Sequence, residues 1–489
     1  MAKVLLTHSY FLRFDNKQWK QQQPYPPLGT IYAAAVLREA GYSIALHDTM
    51  FAESAEEILL AIKKENPDYV VLYDDGFNYL TKMCLTNMRE AAFRMSELAK
   101  KHGCKVIISS SDSSDHPAEY IAHGADYIIK GEGESTLLEL LNELEKGNKN
   151  IETIPGLAYK NDKEIVLTAR REVLKNLDSL PMPAWDLINI KQYKEAWINK
   201  WGYFSINVAT TRGCPFKCNW CAKPIYGNRY NSRSAESVAE ELNYLKQHFS
   251  PDHIWFCDDI FGLKPGWVRK FADIVKEQGL DLRFKIQCRA DLLLQEEYIK
   301  DLARAGCEIV WMGAESGSQK ILDAMDKGTH VNQIYEASRL LKKHGIKPAF
   351  FLQFGYPGET IDDIGMTIKM LLDLMPDDIG VSVSYPLPGT VFYEKVKEQL
   401  KQKSNWTDSD ELVLMFKNTY PPEFYKQLHR FVHKIYRGKQ ATNSLKNMIA
   451  DPISITRREL KKALSILYYR PASQIYKWRM GKHKKIQVA

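Results

Sequence analysis

Three cysteines set close together constrain this chain more than any other feature of its sequence. Cys214, Cys218 and Cys221 lie in the stretch Thr-Arg-Gly-Cys-Pro-Phe-Lys-Cys-Asn-Trp-Cys, which gives them a C-x3-C-x2-C spacing. An apolar run over residues 204–209 precedes them, and a helical pattern begins near Ser234. We therefore expect the thiols on a loop beyond the C-terminal end of a strand, where parallel α/β folds bind their ligands.

The spacing of the cysteines predicts a metal centre. Thiolates are soft ligands that select zinc or iron–sulfur clusters. A closed zinc site takes four protein ligands, and a cubane cluster normally takes four cysteines. Three neighbouring cysteines without a fourth would leave one iron open to a small molecule, which favours the cluster. A zinc loop completed by a distant ligand, such as Cys257 or a histidine, is the alternative.

The cysteines and their flanking residues together resemble the signature of radical S-adenosylmethionine (SAM) enzymes. The resemblance implies that the three cysteines hold a 4Fe-4S cluster and that SAM chelates the open iron through its amino and carboxylate groups. It places Trp220 near the adenine. It also implies that one electron passes to the sulfonium, that the S–C5′ bond breaks, and that a 5′-deoxyadenosyl radical forms.

The first ~150 residues alternate strand and helix in five βα units, which predicts a doubly wound parallel sheet with a crevice at the strand ends. Two stretches, Tyr-Pro-Pro-Leu-Gly at 25–29 and Lys-Gly-Glu-Gly-Glu at 130–134, resemble the cobalamin (B12)-binding domain fused to many radical SAM enzymes. We therefore expect a Rossmann- or flavodoxin-like sheet that binds cobalamin. A sheet that has lost its cofactor and serves as a cover is the alternative.

The sequence departs from that domain at two places. The D-x-H-x-x-G motif, whose histidine ligates cobalt in some relatives, is not found, and His116 has other neighbours. A serine-rich loop at 109–114 stands where relatives often carry a pair of glycines. Side chains are therefore expected where bare backbone usually approaches the corrin ring.

From residue 205 to about residue 384 six strands alternate with helices, a pattern that resembles the partial (β/α)6 barrel of radical SAM enzymes. The end of the second strand carries Asp258 and Asp259. The resemblance implies that they contact the amino group of SAM, whereas a helix cap or a solvated turn is the alternative. Arg289, after the third strand, could bind a carboxylate through two parallel hydrogen bonds.

The next two strand ends supply the other residues that the resemblance assigns to SAM. Glu315 and Ser316 follow the fourth strand, where the family makes its ribose and carboxylate contacts. Gly355 and Pro357 follow the fifth strand, in the stretch expected against adenine. No further side chain is predicted to act as an acid, base or nucleophile.

Four regions are predicted: a cobalamin-binding-like domain at 1–150, a connector at 151–200, a radical SAM core at 201–400 and a helical C-terminal region with a basic tail at 401–489. Residues 451–489 hold ten Lys/Arg against two acidic residues, a charge of +8, so that the net +7 of the chain leaves −1 for the rest. The near-neutral body excludes a broad nucleic-acid footprint. The basic tail, which also carries aromatic residues, either contacts an anionic membrane surface or is a solvated terminus.

The predicted protein is an α/β radical SAM enzyme similar to the group with the anaerobic magnesium-protoporphyrin IX monomethyl ester cyclase and the class B methyltransferases. It would methylate or oxidatively cyclise an unactivated carbon of a small, apolar substrate, with electrons from a flavodoxin or ferredoxin, in the cytoplasm. A tRNA methylthiotransferase-like enzyme needs more cysteines than Cys84 and Cys104 upstream. A non-catalytic cobalamin- or zinc-binding regulator has no need of a SAM site.

Overall fold

The computed structural model describes residues 2–484 except 79–80, 82, 84, 148–149, 163, 222–224, 401–404 and 451–455. Parts of the basic tail, and Cys84, therefore lie outside the described residues. Fifteen strands are assigned in the described part of the chain, in a seven-stranded sheet, a six-stranded sheet and a short two-stranded ribbon.

The N-terminal sheet has the strand order β2-β1-β3-β4-β5-β6-β7. Its first five strands are parallel, in the flavodoxin-like order 2-1-3-4-5, and the last two add an antiparallel hairpin. The central strands are apolar and buried because helices cover both faces of the sheet. The strands are β1 (Lys3–Thr7), β2 (Ser43–His47), β3 (Tyr69–Tyr73), β4 (Lys105–Ser109), β5 (Tyr127–Ile129), β6 (Leu157–Lys160) and β7 (Ile165–Leu167).

The helices of this half connect the parallel strands and agree with the predicted βα units. Two helices that the sequence patterns did not predict flank them, one in the first loop and one in the serine-rich loop. A further unpredicted helix lies in the connector. The helices are α1 (Asn16–Gln21), α2 (Leu28–Glu39), α3 (Ile58–Glu65), α4 (Thr86–Lys101), α5 (Ser111–Asp115), α6 (Pro117–Ala122), α7 (Glu134–Glu145) and α8 (Ile190–Trp201).

The second sheet is a curled half barrel of six parallel strands, β15-β14-β13-β12-β11-β8, so that spatial order follows chain order. This confirms the predicted partial (β/α)6 barrel. The antiparallel pair β9 (Thr211–Arg212) and β10 (Asn231–Ser232) brackets the cysteine loop. The barrel strands are β8 (Ser205–Val208), β11 (His253–Phe256), β12 (Phe284–Cys288), β13 (Cys307–Glu315), β14 (Lys347–Phe354) and β15 (Asp378–Val383).

Amphipathic helices cover the outer face of the barrel, and a helical C-terminal region follows. The long helix α16 packs against β15 and α14, and the last helices fold back along it. No helix among the described residues is long and apolar enough to cross a membrane. The helices are α9 (Ala235–Phe249), α10 (Trp267–Glu277), α11 (Glu296–Ala305), α12 (Gln319–Ala324), α13 (Val331–Lys343), α14 (Ile361–Leu374), α15 (Val391–Val396), α16 (Pro422–Ala450), α17 (Arg457–Leu464) and α18 (Ile466–Lys482).

The two sheets share one continuous apolar core, and the segment before α2 joins them directly. The Tyr25 hydroxyl lies 3.3 Å from Ser205 Oγ on β8, and Asn207 Nδ2 donates to the Pro26 carbonyl at 3.1 Å. From the connector, the Trp197 indole donates to the Pro24 carbonyl at 2.8 Å. The first domain therefore packs against the free edge of the half barrel.

Candidate active site

The three cysteines lie together on the loop that follows β9, and each is a free thiol. Burial raises the pKa of the Cys214 thiol, and the charges of Asp259 and Cys218 raise it further. Cys221 has exposed surface, yet burial around its sulfur, with Asp259 and the other two cysteines nearby, raises its pKa to about 12. The thiols of Cys214 and Cys221 are therefore protonated until a metal displaces their protons.

The arrangement of the thiols suits a cluster, which places each cysteine on a separate iron. Among the described residues, no group of three or more His, Cys, Asp or Glu side chains is close enough to hold a single metal ion. Cys218 also has a cation beside it, because Arg289 Nη1 lies 3.8 Å from its sulfur. The guanidinium therefore brings a positive charge to the cysteine loop.

Asp258 and Asp259 follow the same strand but lie in different environments. Asp258 is buried, and its carboxylate accepts hydrogen bonds from the backbone N–H groups of Thr210 at 2.7 Å and Thr211 at 2.9 Å. Burial raises the pKa of Asp258 to about 6 against the lowering effect of these bonds. Asp258 thus anchors the strand that leads into the cysteine loop, whereas the exposed Asp259 faces the cysteines and is the remaining candidate for an ammonium contact.

Arg289 is already paired within the protein. Its Nε and Nη2 lie 3.0 Å from the two carboxylate oxygens of Asp291, and Nη2 also donates to the Lys327 carbonyl at 3.0 Å. The guanidinium stacks 3.6 Å over the Phe216 ring. The predicted two-point contact with a ligand carboxylate is therefore taken by Asp291, and only Nη1 points to the cluster loop.

Glu315 and Trp220 meet at Lys327, a residue that the sequence patterns did not single out. Lys327 Nζ lies 2.9 Å from Glu315 Oε1 and 5.7 Å from the centre of the Trp220 ring. Burial acts to lower the pKa of Lys327, but the charges of Glu315 and Cys218 outweigh it and raise the pKa. The Trp220 indole N–H is buried without a partner among the described residues, so a polar ligand atom can satisfy it.

Ser316 is turned away from this cluster of side chains. It is fully buried, its hydroxyl lies 3.1 Å from Thr367 Oγ1, and it accepts a hydrogen bond from the Ser318 backbone at 3.1 Å. These bonds tie the end of β13 to α14. The Ser316 side chain is therefore engaged within the protein, and Glu315 remains the candidate for the predicted ribose contact.

The end of β14 is joined to the cysteine loop through a residue that the sequence patterns also missed. The Tyr356 hydroxyl donates to Asn219 Oδ1 at 2.9 Å, and Asn219 lies between the second and third cysteines. On either side, Gly355 has φ +77° and Pro357 is half-buried. The predicted adenine stretch therefore reaches the cysteine loop.

A crevice of about 360 Å³ lies at the carboxyl ends of β3, β4 and β5. Ile225 and Tyr226, which follow the third cysteine, form its other wall. The Ser111 hydroxyl has no partner among the described residues, and a Cβ added at Gly131 would meet nothing nearer than 3.8 Å. Unpaired donors and open backbone suit the amide-rich edge of cobalamin.

The crevice is narrowed by Tyr226, one of the residues that line it. Tyr226 fills the remaining space, because a Cβ added at Gly76 would lie 2.8 Å from its hydroxyl. The residues present therefore fit the rim of the cofactor, and Tyr226 occupies part of the room for its body.

A buried ion cluster connects this crevice to the cysteine loop. Arg212, two residues before the first cysteine, pairs with Glu132, and its Nη2 lies 2.8 Å from Glu134 Oε1. All three side chains are buried, and the rings of Tyr32, Phe77 and Tyr226 lie within 5.6 Å of the guanidinium carbon. The Gly-Glu-Gly-Glu turn of the first domain thus positions the start of the cluster loop.

Comparisons with known proteins agree with this architecture. Residues 208–371 match the radical SAM superfamily, and residues 20–141 match the B12 binding domain. The chain is 29% identical over 388 residues to an uncharacterized methyltransferase of Pyrococcus horikoshii, covering 78% of this chain and 81% of that protein. It is 23% identical over 384 residues to the anaerobic magnesium-protoporphyrin IX monomethyl ester cyclase of Synechocystis, covering 77% and 74%. The fold matches the aqua-cobalamin-bound structure of the radical enzyme OxsB with a TM-score of 0.75 and 17% identity, over 98% of this chain and 72% of that one.

The fold and the cysteine loop thus define a radical SAM enzyme. More particularly, the chain belongs to the radical SAM enzymes that carry a cobalamin-binding domain, the group of the anaerobic cyclase and the cobalamin-dependent methyltransferases. Its cofactors are a 4Fe-4S cluster, SAM and cobalamin. The zinc-loop and regulator alternatives are not favoured, and neither is a methylthiotransferase.

Proposed function

We propose that the chain methylates an unactivated carbon of a small molecule. The observation that supports this most directly is the shared wall between the two cofactor sites. Ile225 and Tyr226 close the strand-end crevice of the B12-binding domain and follow the third cysteine in the chain. A methyl carrier and a hydrogen-abstracting centre placed so close together suit one substrate carbon that both can reach.

The residues of this chain would divide the work as follows. Cys214, Cys218 and Cys221 would hold the cluster, which supplies the electron that splits SAM, while cobalamin in the crevice supplies a methyl group. Asp259 would contact the amino group of SAM. Glu315 would contact the ribose, held in place by Lys327.

The aromatic and backbone groups around the loop would complete the SAM site. Trp220 would lie near adenine and offer its unpaired indole N–H to a polar ligand atom. Gly355 and Pro357 would border the adenine, because Tyr356 between them is tied to Asn219 of the cysteine loop. Asp258, Arg289 and Ser316 would act by holding these elements in position.

A labelling experiment tests the proposal. Anaerobically reconstituted protein with cobalamin is incubated with a small-molecule extract and SAM that carries a trideuterated methyl group. We expect one product whose mass is 3 Da above that made with ordinary SAM, because the methyl group is transferred intact. A product that gains oxygen from labelled water and no deuterium would contradict methylation and identify an oxidative cyclase.

We also propose that the C-terminal helices contact an anionic membrane surface. Six large apolar side chains on α17 and α18 are exposed, namely Leu460, Leu464, Leu467, Tyr468, Ile475 and Trp478. Residues 456–484 hold nine Lys/Arg against a single acidic residue. A basic helical surface with exposed apolar side chains suits the boundary of an anionic bilayer and would bring the enzyme to an apolar substrate.

A flavodoxin or ferredoxin as electron donor and a cytoplasmic location stay predictions.

A further inference from the structure

The inner face of the half barrel carries side chains that none of the roles above uses. Residues alternate between the two faces of each strand. Phe256 of β11 and Phe284 of β12 lie on the outer face, with ring centres 5.9 and 6.3 Å from that of Phe271 on helix α10. Their strand neighbours Trp255 and Lys285 therefore point to the inner, concave face.

Lys285 on this face has aromatic neighbours and, among the described residues, no acidic partner. Its ammonium lies 5.4 Å from the centre of the Tyr25 ring and 5.3 Å from that of Trp255. Burial lowers its pKa to about 8, and the Tyr203 hydroxyl and Asp378 oppose the effect.

The acidic groups near Lys285 are engaged elsewhere. Asp378 lies 3.1 Å from Arg437, and Glu308 lies 2.7 Å from Arg283. Within the part of the chain that the structure describes, no carboxylate lies at ion-pair distance from Lys285. A partly buried cation without a counter-ion lowers the free energy of unfolding. We therefore expect Lys285 to have a functional role that compensates for this loss of stability.

The neighbouring strands β13 and β14 extend the aromatic surface toward the carboxyl ends of the strands. Trp311 and Phe351 stack with ring centres 4.7 Å apart, and Phe351 is 37% exposed. Gly380 lies beside the stacked pair, since an added Cβ there would meet Phe351 at 3.1 Å and Trp311 at 3.4 Å. These rings form an apolar strip on the inner face, and Phe351 of this strip reaches solvent.

The position of Lys285 relative to the cluster loop sets the length of a molecule that could reach from one to the other. Lys285 comes four residues before Arg289, whose guanidinium contacts the Cys218 sulfur. Four residues of strand span about 13 Å. A molecule anchored at Lys285 therefore needs a body of about that length to present a carbon near the cysteine loop.

We propose that Lys285 binds the anionic group of the substrate, a carboxylate or a phosphate, and that Tyr25, Trp255, Trp311 and Phe351 contact its apolar body. The inference rests on the proposed function, since it assigns a substrate class to the same enzyme. The substrate is thus an extended or planar apolar acid that enters the barrel acid end first.

Binding of a matched pair of probes tests this assignment. The probes are 4-(2-naphthyl)butyrate and its neutral primary amide, titrated by calorimetry into the anaerobically reconstituted full-length protein. We expect the acid to bind about tenfold more tightly than the amide, because only the acid pairs with the buried ammonium. Lys285→Met, which keeps the alkyl stem, should remove the preference, and Lys347→Met, at the exposed start of β14, should keep it.

A stability measurement supplies a second readout that does not depend on the probe. Because Lys285 is a partly buried cation without an ion-pair partner in the described part of the chain, Lys285→Met should leave the melting temperature of the ligand-free protein unchanged or raise it. A wild-type protein that fails to distinguish acid from amide, including one that binds neither, overturns the proposal. A lower melting temperature for Lys285→Met also overturns it. Neither result bears on the methyl-labelling experiment, which requires turnover, so the two proposals can fail separately.

Discussion

Cys218 lies close to two cationic residues, because Arg289 Nη1 is 3.8 Å from its sulfur and Lys327 interacts with it electrostatically. Replacing it with alanine removes one of the three proposed cluster ligands. We expect Cys218→Ala to lose the cluster absorption, the EPR signal that shifts on adding SAM, and SAM cleavage. Cys104→Ala, a buried free thiol of the first domain, is the control and should retain all three. Continued SAM cleavage by Cys218→Ala would mean that the cysteines are assigned wrongly.

For individual residues, the sequence predicted where the site lies but not the role of every residue in it. The sequence motifs placed Asp259 and Glu315 at the same edge as the cysteines, because each follows a strand of the barrel, and Trp220 lies within the cysteine loop itself. Lys327 comes from a turn after α12, and nothing local marks it, since its pairing with Glu315 exists only after folding. Asp258 was expected at the ligand but anchors backbone N–H groups, because the partners of a strand-end carboxylate depend on the neighbouring strand.

Among the elements, the turn before α7 is the one that ties the two domains at the cluster loop. Glu134 is the first residue of α7 and pairs with the buried Arg212. Glu134→Gln leaves that guanidinium with one carboxylate in a dry interface, so we expect a loss of about 3–5 kcal/mol in the free energy of unfolding. Urea unfolding of the full chain measures it.

A substitution on the same helix provides the control for Glu134→Gln. Glu139, whose partner is Arg171, has a side chain that is 46% exposed. Glu139→Gln should therefore cost less than ~1 kcal/mol. Equal effects of the two substitutions would show that the buried cluster adds no more stability than a surface pair.

The βα elements could be read from the sequence because each strand is a short apolar run and each helix is amphipathic. The helix over the serine-rich loop could not, since its five residues include no apolar side chain and its start depends on a Ser110–Ser113 capping box. The length of α16 was also missed. Its apolar positions pack against β15, α14 and the returning α18, contacts that exist only in the folded chain.

For the whole molecule, the exposed apolar and basic surface of α17 and α18 predicts recruitment to anionic bilayers. We expect the full-length protein to sediment with vesicles that contain phosphatidylglycerol and not with neutral phosphatidylcholine vesicles. Leu467→Glu, at a side chain that is 76% exposed, should abolish binding, whereas Leu60→Glu, 69% exposed on α3, should not. Binding that survives Leu467→Glu and ignores lipid charge would contradict the assignment.

At the same scale, the sequence predicted two α/β halves and their order but not how they fit together. The connector was expected to begin at residue 151, yet β6 and β7 within it form a hairpin that extends the first sheet by pairing with β5. Antiparallel pairing partners that are separated along the chain leave no periodic signal. The contact between the segment before α2 and β8 is likewise made only by the folded chain.

The contact between the segment before α2 and β8 limits how the two halves of this protein can be recombined in engineered fusions. Tyr25 and Pro26 belong to one half of the molecule but cover the bare side of the other, where a complete barrel would have further strands. The radical-generating half is therefore not a portable module. If this half were fused to a different cobalamin-binding domain, residues 24–27 would have to be included in the fusion. Without them the strand edge would be exposed and could pair with another copy of the protein.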